Sequence, residues 1–327
     1  MERNPLKQVI RNRYGTPDVL EIVEIDQPEI SDDGVGVRVQ AVALNRLDWY
    51  HVTGTPLLGR PEMGLRKPKS PLFHADFAGT VEAIGKDVDG FKAGDEVFGR
   101  GAPLAQYVCV EADAVARKPP GVTFEEAAAT TLAGRTALQA LRDRGRVQPG
   151  QKVLINGASG GVGTFAVQIA KALGAEVTAV CSTGNVDQAR ALGADHVVDY
   201  MHEDFTRNGQ RYDVLFDIAG GKPWSACRRV LAPNATVLLV GGPKKNRLLG
   251  PLGHIVRMKL RAALSSRQAV FFIAKPVTAD LEALAELLEA GTVRPVIDRR
   301  YALREVADAF RYLGEGHPHG KVVIDMD

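Results

Sequence analysis

The sequence has few cysteines, no long apolar run and no excess of charge of either sign. Its 327 residues include three cysteines, Cys109, Cys181 and Cys227, whose spacing fits neither a disulfide framework nor a zinc-ligand motif. No apolar run approaches the roughly 20 residues that span a bilayer, and the first residues lack the apolar core of a signal peptide. The 41 basic and 39 acidic residues give a net charge of +2, which gives no reason to expect a nucleic-acid partner. We therefore expect a reduced, cytoplasmic protein with no membrane span.

The chain changes character near residue 124. Before it, short apolar segments alternate with turn signals, which predicts a β-rich region without long helices. From Lys152 onwards, strand and helix patterns alternate, as in a doubly wound parallel sheet of an α/β protein. The predicted strands of this sheet are 152–156, 176–181, 196–200, 212–219, 235–242 and 269–274.

The tail after Pro276 contains two helical patterns and a last strand, and it is predicted to return to the first region. The sequence thus predicts a β-rich domain formed by 1–123 and 275–327, and a Rossmann domain over 124–274. The basic stretch 244–268 interrupts the strand–helix alternation. We interpret it as a solvated connector with one helix, and the alternative is contact with an anionic substrate or a lipid.

The strongest motif is the glycine-rich run 155–163, which follows a predicted strand and opens a helix. This context is typical of a dinucleotide fingerprint, in which glycines let the backbone approach the pyrophosphate at a helix N-terminus. The residues predicted to contact the cofactor here are Asn156, Ser159, Gly160, Gly161 and Val162, with Gly241 after a later strand.

The end of the second predicted strand indicates which dinucleotide binds. Folds that prefer NAD usually place Asp or Glu there to accept from the ribose 2′-hydroxyl, but this turn has no acid. Ser182, Thr183 and Asn185 can instead donate to a 2′-phosphate, and Tyr200 at the end of the third strand adds a hydroxyl. The sequence therefore favours NADPH over NADH.

Six segments along the chain form a recognisable set: HADFAGTVEAIG (74–85), GDEVFG (94–99), GRTALQAL (134–141), GASGGVG (157–163), LGADHVVDY (192–200) and GKVVI (320–324). Through them the chain resembles the medium-chain dehydrogenase/reductase superfamily over nearly its whole length. The resemblance implies a GroES-like catalytic domain built from both ends of the chain, a central Rossmann domain and a cofactor cleft between them.

Zinc-dependent members of this superfamily carry Cys-x-x-Asp and Gly-His-Glu, and this sequence departs from both motifs. Asn45 stands at the cysteine position, Ala75 at the histidine position and Asp76 at the glutamate position. Because zinc needs soft or imidazole ligands, we expect no metal. The chain is most similar to the zinc-independent quinone oxidoreductase branch, including mitochondrial-type quinone reductases and their bacterial relatives.

The resemblance also implies roles for individual residues. It places Gly161, Val162, Ser182 and Tyr200 at the cofactor, Phe272 near the nicotinamide, and His317 and His319 in a segment near the cofactor. The candidate catalytic residues are Asn45, Asp48 and Tyr50, in a segment that faces the cleft in relatives. Asn45 and Tyr50 have protons to donate to the product oxygen.

The function implied is hydride transfer from NADPH to a quinone or a related activated carbonyl, and two alternatives stay open. Enoyl-thioester reductases share the fold but use a tyrosine two residues after a glycine, where this chain has Pro56 after Gly54. The other alternative is a protein that binds NADPH without catalysis. Finally, the apolar run 269–274 is predicted to be an edge strand that pairs with a second copy, so we expect a homodimer.

Overall fold

The computed structural model describes residues 5–242, 248, 250–316 and 318–327. The chain divides into two compact units. The unit that we call the β-rich unit comprises Met1–Ala133, Pro276–Gly291 and Pro295–Asp327, so both ends of the chain belong to it. The second, the parallel-sheet unit, comprises Gly134–Lys275 and Thr292–Arg294. Within the described residues, no helix is long and apolar enough to cross a membrane.

The β-rich unit contains a small hairpin and a larger sheet of seven strands. Its elements are β1 (Leu6–Arg11), β2 (Leu20–Ile25), β3 (Gly34–Leu44), α1 (Arg46–Thr53), α2 (Arg60–Met63), β4 (His74–Ile84), β5 (Glu96–Pro103), β6 (Tyr107–Glu111), β7 (Val115–Arg117), α3 (Phe124–Leu138, which runs on into the second unit), α8 (Thr278–Glu289), β14 (Ile297–Ala302), α9 (Val306–Glu315) and β15 (Lys321–Asp325).

The large sheet has the order β14-β15-β3-β4-β5-β7, and β6 also pairs with β3. Strand β3 is buried along most of its length because both of its faces are covered. Val42 and Leu44 join a core with large apolar side chains, whereas Ala41 and Ala43 face a second core that includes the buried alanines of α3. The small residues on that face allow the helix to pack closely against the strand.

The parallel-sheet unit contains six strands in the order β10-β9-β8-β11-β12-β13, all parallel. Its elements are β8 (Lys152–Asn156), α4 (Gly161–Ala172), β9 (Glu176–Cys181), α5 (Val186–Ala191), β10 (His196–Asp199), β11 (Tyr212–Asp217), α6 (Trp224–Cys227), β12 (Leu231–Leu239), α7 (Leu252–Ala262) and β13 (Gln268–Phe271). The predicted fold class and all six strands of the Rossmann sheet are confirmed.

The order of this sheet reverses at β8, which lies between β9 and β11. Open α/β sheets bind ligands outside the carboxyl ends of their strands at such a switch point. The carboxyl ends of β8 and β11 are Asn156 and Asp217, which lie side by side in the register of the two strands. The carboxyl ends of β8 and β11 are therefore the expected position of a cofactor.

Some predicted boundaries were wrong. Helix α1 falls in a region predicted to be strands and turns, β12 begins at Leu231 rather than 235, and β13 ends at Phe271 rather than 274. Helix α1 is eight residues long, too short to show a helical period in the sequence. A local signal does start it: the main-chain N–H of Asn45 donates to Asp48 Oδ2 at 2.6 Å, as in a capping box.

Candidate active site

The glycine-rich loop joins β8 to α4 and is held against β9. Gly157 has a φ of +96°, which favours glycine, and the N–H groups of Gly157 and Ala158 both donate to Val180 O, at 3.2 and 3.1 Å. A Cβ atom on Gly163 would lie 2.1 Å from Gly157 O, so a side chain there collides with the loop backbone. Glycine is thus required at these positions by the conformation and packing of the loop.

Gly160 differs, because a Cβ atom there would lie 3.9 Å from its nearest neighbour, Gly157 O. The residue precedes the first turn of α4 and has an extended backbone that any residue adopts. The protein itself therefore leaves the space above Gly160 open, next to the unpaired N–H groups of the first turn. A pyrophosphate fits such a cradle, and Ser159, Gly161 and Val162, all partly exposed, border it.

Asn156 is buried and is bound within the protein at the switch point. Its Nδ2 donates to Asp217 Oδ1 at 2.7 Å and to Gly220 O at 3.2 Å, so it links the ends of β8 and β11. Asp217 also accepts from Gly220 N, and His254 Nε2 on α7 lies 3.2 Å from Asp217 Oδ2. Asp217 and His254 were not predicted as site residues, although the position of Asp217 at the end of a central strand could have indicated it.

The turn after β9 places the predicted polar residues together. Asn185 Nδ2 donates to Ser182 Oγ at 2.9 Å, which leaves the Ser182 hydroxyl proton free for another acceptor. Asn185 is 4% exposed, and its Oδ1 has no hydrogen-bond partner in the described part of the chain. A buried carbonyl oxygen without a partner fits a ligand hydroxyl, such as one from a ribose.

Asp199, which was not predicted as a site residue, places a carboxylate at the end of the neighbouring strand β10. The Thr183 side chain hydrogen-bonds to Asp199, and this bond is the main reason why the pKa of Asp199 is lowered. The hydroxyl of Thr183 is therefore engaged, while Tyr200 next to Asp199 is 52% exposed and accessible to a ligand.

The remaining predicted cofactor residues lie in both units. Gly241 follows β12, and a Cβ atom there would lie 2.2 Å from Ile218 O, so glycine permits a close approach of two chain segments. Phe272 is buried just after β13, with the Arg144 guanidinium 5.8 Å from its ring centroid. His319 is exposed in the β-rich unit, and its main-chain N–H donates to Asp298. His317 lies outside the described residues.

In the β-rich unit, the segment that carries the catalytic candidates contains a buried ionic cluster. Asn45 is at its centre: Lys321 Nζ donates to Asn45 Oδ1 at 2.6 Å, and Asn45 Nδ2 donates to Asp76 Oδ2 at 2.7 Å. Arg100 bridges the two carboxylates, with Nη1 2.6 Å from Asp76 Oδ1 and Nη2 3.0 Å from Asp48 Oδ1. We call these five residues the buried ionic cluster.

The charges of the buried ionic cluster balance, since two carboxylates face two cations. Both aspartates are 0% exposed, so water does not screen these ion pairs. Burial raises the pKa of Asp48, and Arg100 opposes that rise. Burial lowers the pKa of Lys321, which Asp76 and Asp48 oppose. Burial also disfavours the charge on Arg100, but the two carboxylates outweigh it and raise its pKa.

Asn45 and Asp48 were expected to contact the substrate, but the structure shows them bonded to other residues of the protein. The Asp48 carboxylate is fully buried and bonded to Arg100 and to the N–H of Asn45, and the Asn45 amide is bonded on both sides. Both oxygens of the buried Asp48 carboxylate are bonded within the protein, and the amide of the partly exposed Asn45 is held by Lys321 and Asp76. This geometry favours a role of both residues in positioning α1. Arg100, Asp76 and Lys321 were missed as partners because their sequence separation hides the contacts.

Tyr50 is the catalytic candidate that stays accessible. It is partly exposed on α1, with the Arg46 guanidinium 5.5 Å from its ring centroid, and no hydrogen bond of its hydroxyl is found among the described residues. Two histidines of the β-rich unit, His51 and His74, have lowered pKa values, which favours their neutral form. Burial and the cations Arg11 and Arg100 lower the pKa of His51 to about 4, and burial with Arg100 lowers that of His74.

The residues at the zinc-ligand positions do not fit a zinc site. Ala75 has no ligand atom, Asn45 Oδ1 accepts from an ammonium, and Asp76 binds Arg100, Asn45 and the N–H of Leu132. A metal there would have to displace Lys321 and would have a single anionic ligand. No cluster of three or more metal-ligating side chains is found among the described residues.

Comparisons with known proteins agree with this architecture. Residues 31–137 match the alcohol dehydrogenase GroES-like domain, and residues 192–324 match a family model described as zinc-binding dehydrogenase. The chain is 32% identical to a chloroplast envelope quinone oxidoreductase homolog of Arabidopsis thaliana, over 96% of both chains. It is also similar to the structure of the quinone oxidoreductase of Coxiella burnetii, with 29% identity, 98% and 99% of the chains covered and a TM-score of 0.86.

The chain therefore belongs to the medium-chain dehydrogenase/reductase superfamily, in its quinone oxidoreductase branch, and it is an oxidoreductase. The same fold serves other reactions. The CurK enoyl reductase superimposes with a TM-score of 0.85 at 26% identity, over 98% of this chain and 99% of that one.

Proposed function

We propose that this protein transfers a hydride from NADPH to a quinone or a related activated carbonyl without zinc. The observation that carries the proposal is that Lys321 and Arg100 tie Asn45 and Asp76 into an ionic cluster, while the dinucleotide loop keeps its open cradle at Gly160. Bound NADPH supplies the hydride, and quinone reduction needs no metal because the resulting phenolate is stabilised by the ring. The names of the quinone oxidoreductases that resemble this chain support the same substrate class.

Within this proposal, the residues of the chain bind and orient the reactants. The N-terminus of α4 holds the pyrophosphate, the buried ionic cluster fixes α1, and Tyr50 offers its phenolic proton to the product oxygen. The function is tested by NADPH consumption with 9,10-phenanthrenequinone, with a 1,4-quinone and with an enoyl thioester. Consumption with the quinones supports the proposal, whereas consumption with the thioester alone supports the enoyl reductase alternative. NADPH binding without consumption supports a non-catalytic protein.

NADPH is expected to bind roughly tenfold more tightly than NADH. The Ser182 hydroxyl has a proton to donate to a 2′-phosphate, and the exposed Tyr200 follows the end of the adjacent strand β10. Ser182→Asp is expected to shift the preference toward NADH, and Ser182→Ala to weaken NADPH binding without improving NADH binding. Equal dissociation constants for the two cofactors in the wild type would contradict the preference.

Metal analysis of the purified protein is expected to find no stoichiometric zinc, and chelators are expected to leave quinone reduction unchanged. The reason is the ligand set, in which an alanine and a lysine-bound asparagine replace imidazole and thiolate. About one zinc per chain, lost together with activity on chelation, would overturn this interpretation.

We further propose that the protein is a homodimer in the cytoplasm, paired through β13. This strand ends the parallel sheet, and in the described chain no strand pairs with its outer edge. Ile273, just beyond it, is 77% exposed. Sedimentation is expected to show a species of about twice the 35.2 kDa chain mass. Ile273→Lys is expected to weaken the association of the two copies. A wild-type species near the chain mass would reject the dimer.

A further inference from the structure

The parallel-sheet unit has an open groove of ≈ 420 Å³ that is rich in arginine. It is lined by Arg211, Ser225, Arg228, Arg229 and Arg267, so four of its five lining residues are cationic and none is acidic. We call it the arginine groove.

Two of these arginines converge on one main-chain oxygen. Leu231 O accepts from Arg211 Nη1 at 3.3 Å and from Arg267 Nη2 at 3.0 Å. Arg267 Nε also donates to Ala232 O at 3.2 Å. The backbone of the first residues of β12 therefore brings two like-charged guanidinium groups together and fixes their orientation.

A third arginine of the groove, Arg229, is also held by hydrogen bonds to the protein. Arg229 Nε donates to Thr206 O at 3.3 Å, and Arg229 Nη2 donates to Thr206 Oγ1 at 3.2 Å. Thr206 in turn donates to Asp204, whose ion pair is with Lys222 at 3.0 Å. The Arg228 side chain has no hydrogen bond or ion pair within the described chain and is exposed, so its guanidinium is free for a ligand.

None of the four groove arginines forms an ion pair with a carboxylate of the described chain. Other arginines do, such as Arg38 with Glu82 and Arg300 with Glu125. Like charges held close together repel one another, and an anion that binds between them removes this cost. The planar donors of arginine match the oxygens of a phosphate group in pairs.

The arginine groove and the glycine-rich loop lie at opposite ends of the strands of the parallel sheet. Arg211 precedes β11, Leu231 begins β12 and Arg267 precedes β13, so the groove is at the amino ends of three neighbouring strands. The dinucleotide loop instead follows the carboxyl end of β8. The groove is therefore separate from the cofactor site.

We propose that the arginine groove is a second binding site, for a ligand that carries clustered phosphate groups. Such groups occur on soluble phosphorylated metabolites and on the headgroups of anionic lipids. The structure assigns the phosphate chemistry, and the experiment separates the two sources.

The experiment titrates the NADPH-saturated protein with inorganic pyrophosphate by calorimetry, so that the dinucleotide loop is already filled. The wild type is expected to bind, and Arg211→Gln/Arg267→Gln to bind at least about tenfold more weakly. Arg228→Gln is a second test variant, since its exposed side chain has no hydrogen bond or ion pair within the described chain. The matched control is Arg13→Gln/Arg304→Gln, two exposed arginines outside the groove.

A second arm measures co-sedimentation with vesicles of phosphatidic acid, and with phosphatidylcholine vesicles as the control. Pyrophosphate binding that the groove variants lose, without vesicle binding, supports a soluble phosphorylated ligand. Vesicle binding that the same variants lose supports a lipid headgroup. No binding in either arm, or binding that the groove variants leave unchanged, overturns the proposal. NADPH affinity is expected to be the same in all of these variants.

Discussion

Arg100→Met is expected to destabilise the β-rich unit by about 3–5 kcal/mol. The substitution leaves the carboxylates of Asp48 and Asp76 buried without the cation that bridges them, and both are 0% exposed. Breaking a buried pair by removing one partner is costly because the remaining charge cannot be solvated. Lys86→Met is the control, since its ion pair with Asp32 is exposed and is expected to contribute at most about 1 kcal/mol.

The measurement is urea unfolding followed by tryptophan fluorescence in a Trp224→Phe background. Trp49 lies on α1 and then reports on the β-rich unit alone. The Arg100→Met penalty is expected to shrink as the pH falls. Burial already raises the pKa of Asp48, and loss of the opposing Arg100 raises it further, so stability is lost as pH rises from the unfolded pKa through the folded pKa of this carboxyl group. If Arg100→Met lowered the free energy of unfolding by as little as Lys86→Met, the stabilising role of the buried ionic cluster would be contradicted.

Gly160→Val is expected to abolish most dinucleotide binding, by roughly 100-fold, while it leaves the fold intact. The reason is that, outside the adjoining residues, the nearest atom lies 3.9 Å from a Cβ at this position, whereas the pyrophosphate needs the same space. Gly163→Ala is the matched counterpart, because its Cβ would lie 2.1 Å from Gly157 O. It is expected to lower the free energy of unfolding by about 1–3 kcal/mol through overpacking.

Calorimetric NADPH titration and thermal unfolding of the two variants separate these effects. The expected pattern is lost affinity with wild-type stability for Gly160→Val, and lost stability for Gly163→Ala. If Gly160→Val bound NADPH as tightly as the wild type, the cradle above Gly160 would not be the pyrophosphate site.

The doubly wound sheet could be predicted from the sequence because each strand is a short apolar run separated by a helical pattern. These are local signals, and all six strands of this sheet were located from them. Helix α1 was missed because eight residues carry too little periodicity, although the pair Asn45 and Asp48 was a capping signal. The glycine-rich loop was recognised because its chemistry is contained in one continuous segment.

The buried ionic cluster could not be predicted, because its members meet only in the folded chain. Lys321 and Asn45 are 276 positions apart, and Arg100 lies 52 positions from Asp48. The sequence showed that the zinc ligands are replaced. It did not show that Lys321 binds Asn45 and that Arg100 binds Asp76 at those positions. The pairing of Asp217 with His254 depends in the same way on how α7 packs beside the end of β11.

The central claim is that the cradle at the end of β8 holds the NADPH that reduces a quinone. The most direct test is the rate of NADPH consumption with a 1,4-quinone, measured for the wild type and for Gly160→Val at equal protein concentration. The account predicts quinone-dependent consumption by the wild type and little or none by the folded Gly160→Val variant. Wild-type consumption by Gly160→Val, or no consumption by a wild type that binds NADPH, would contradict it.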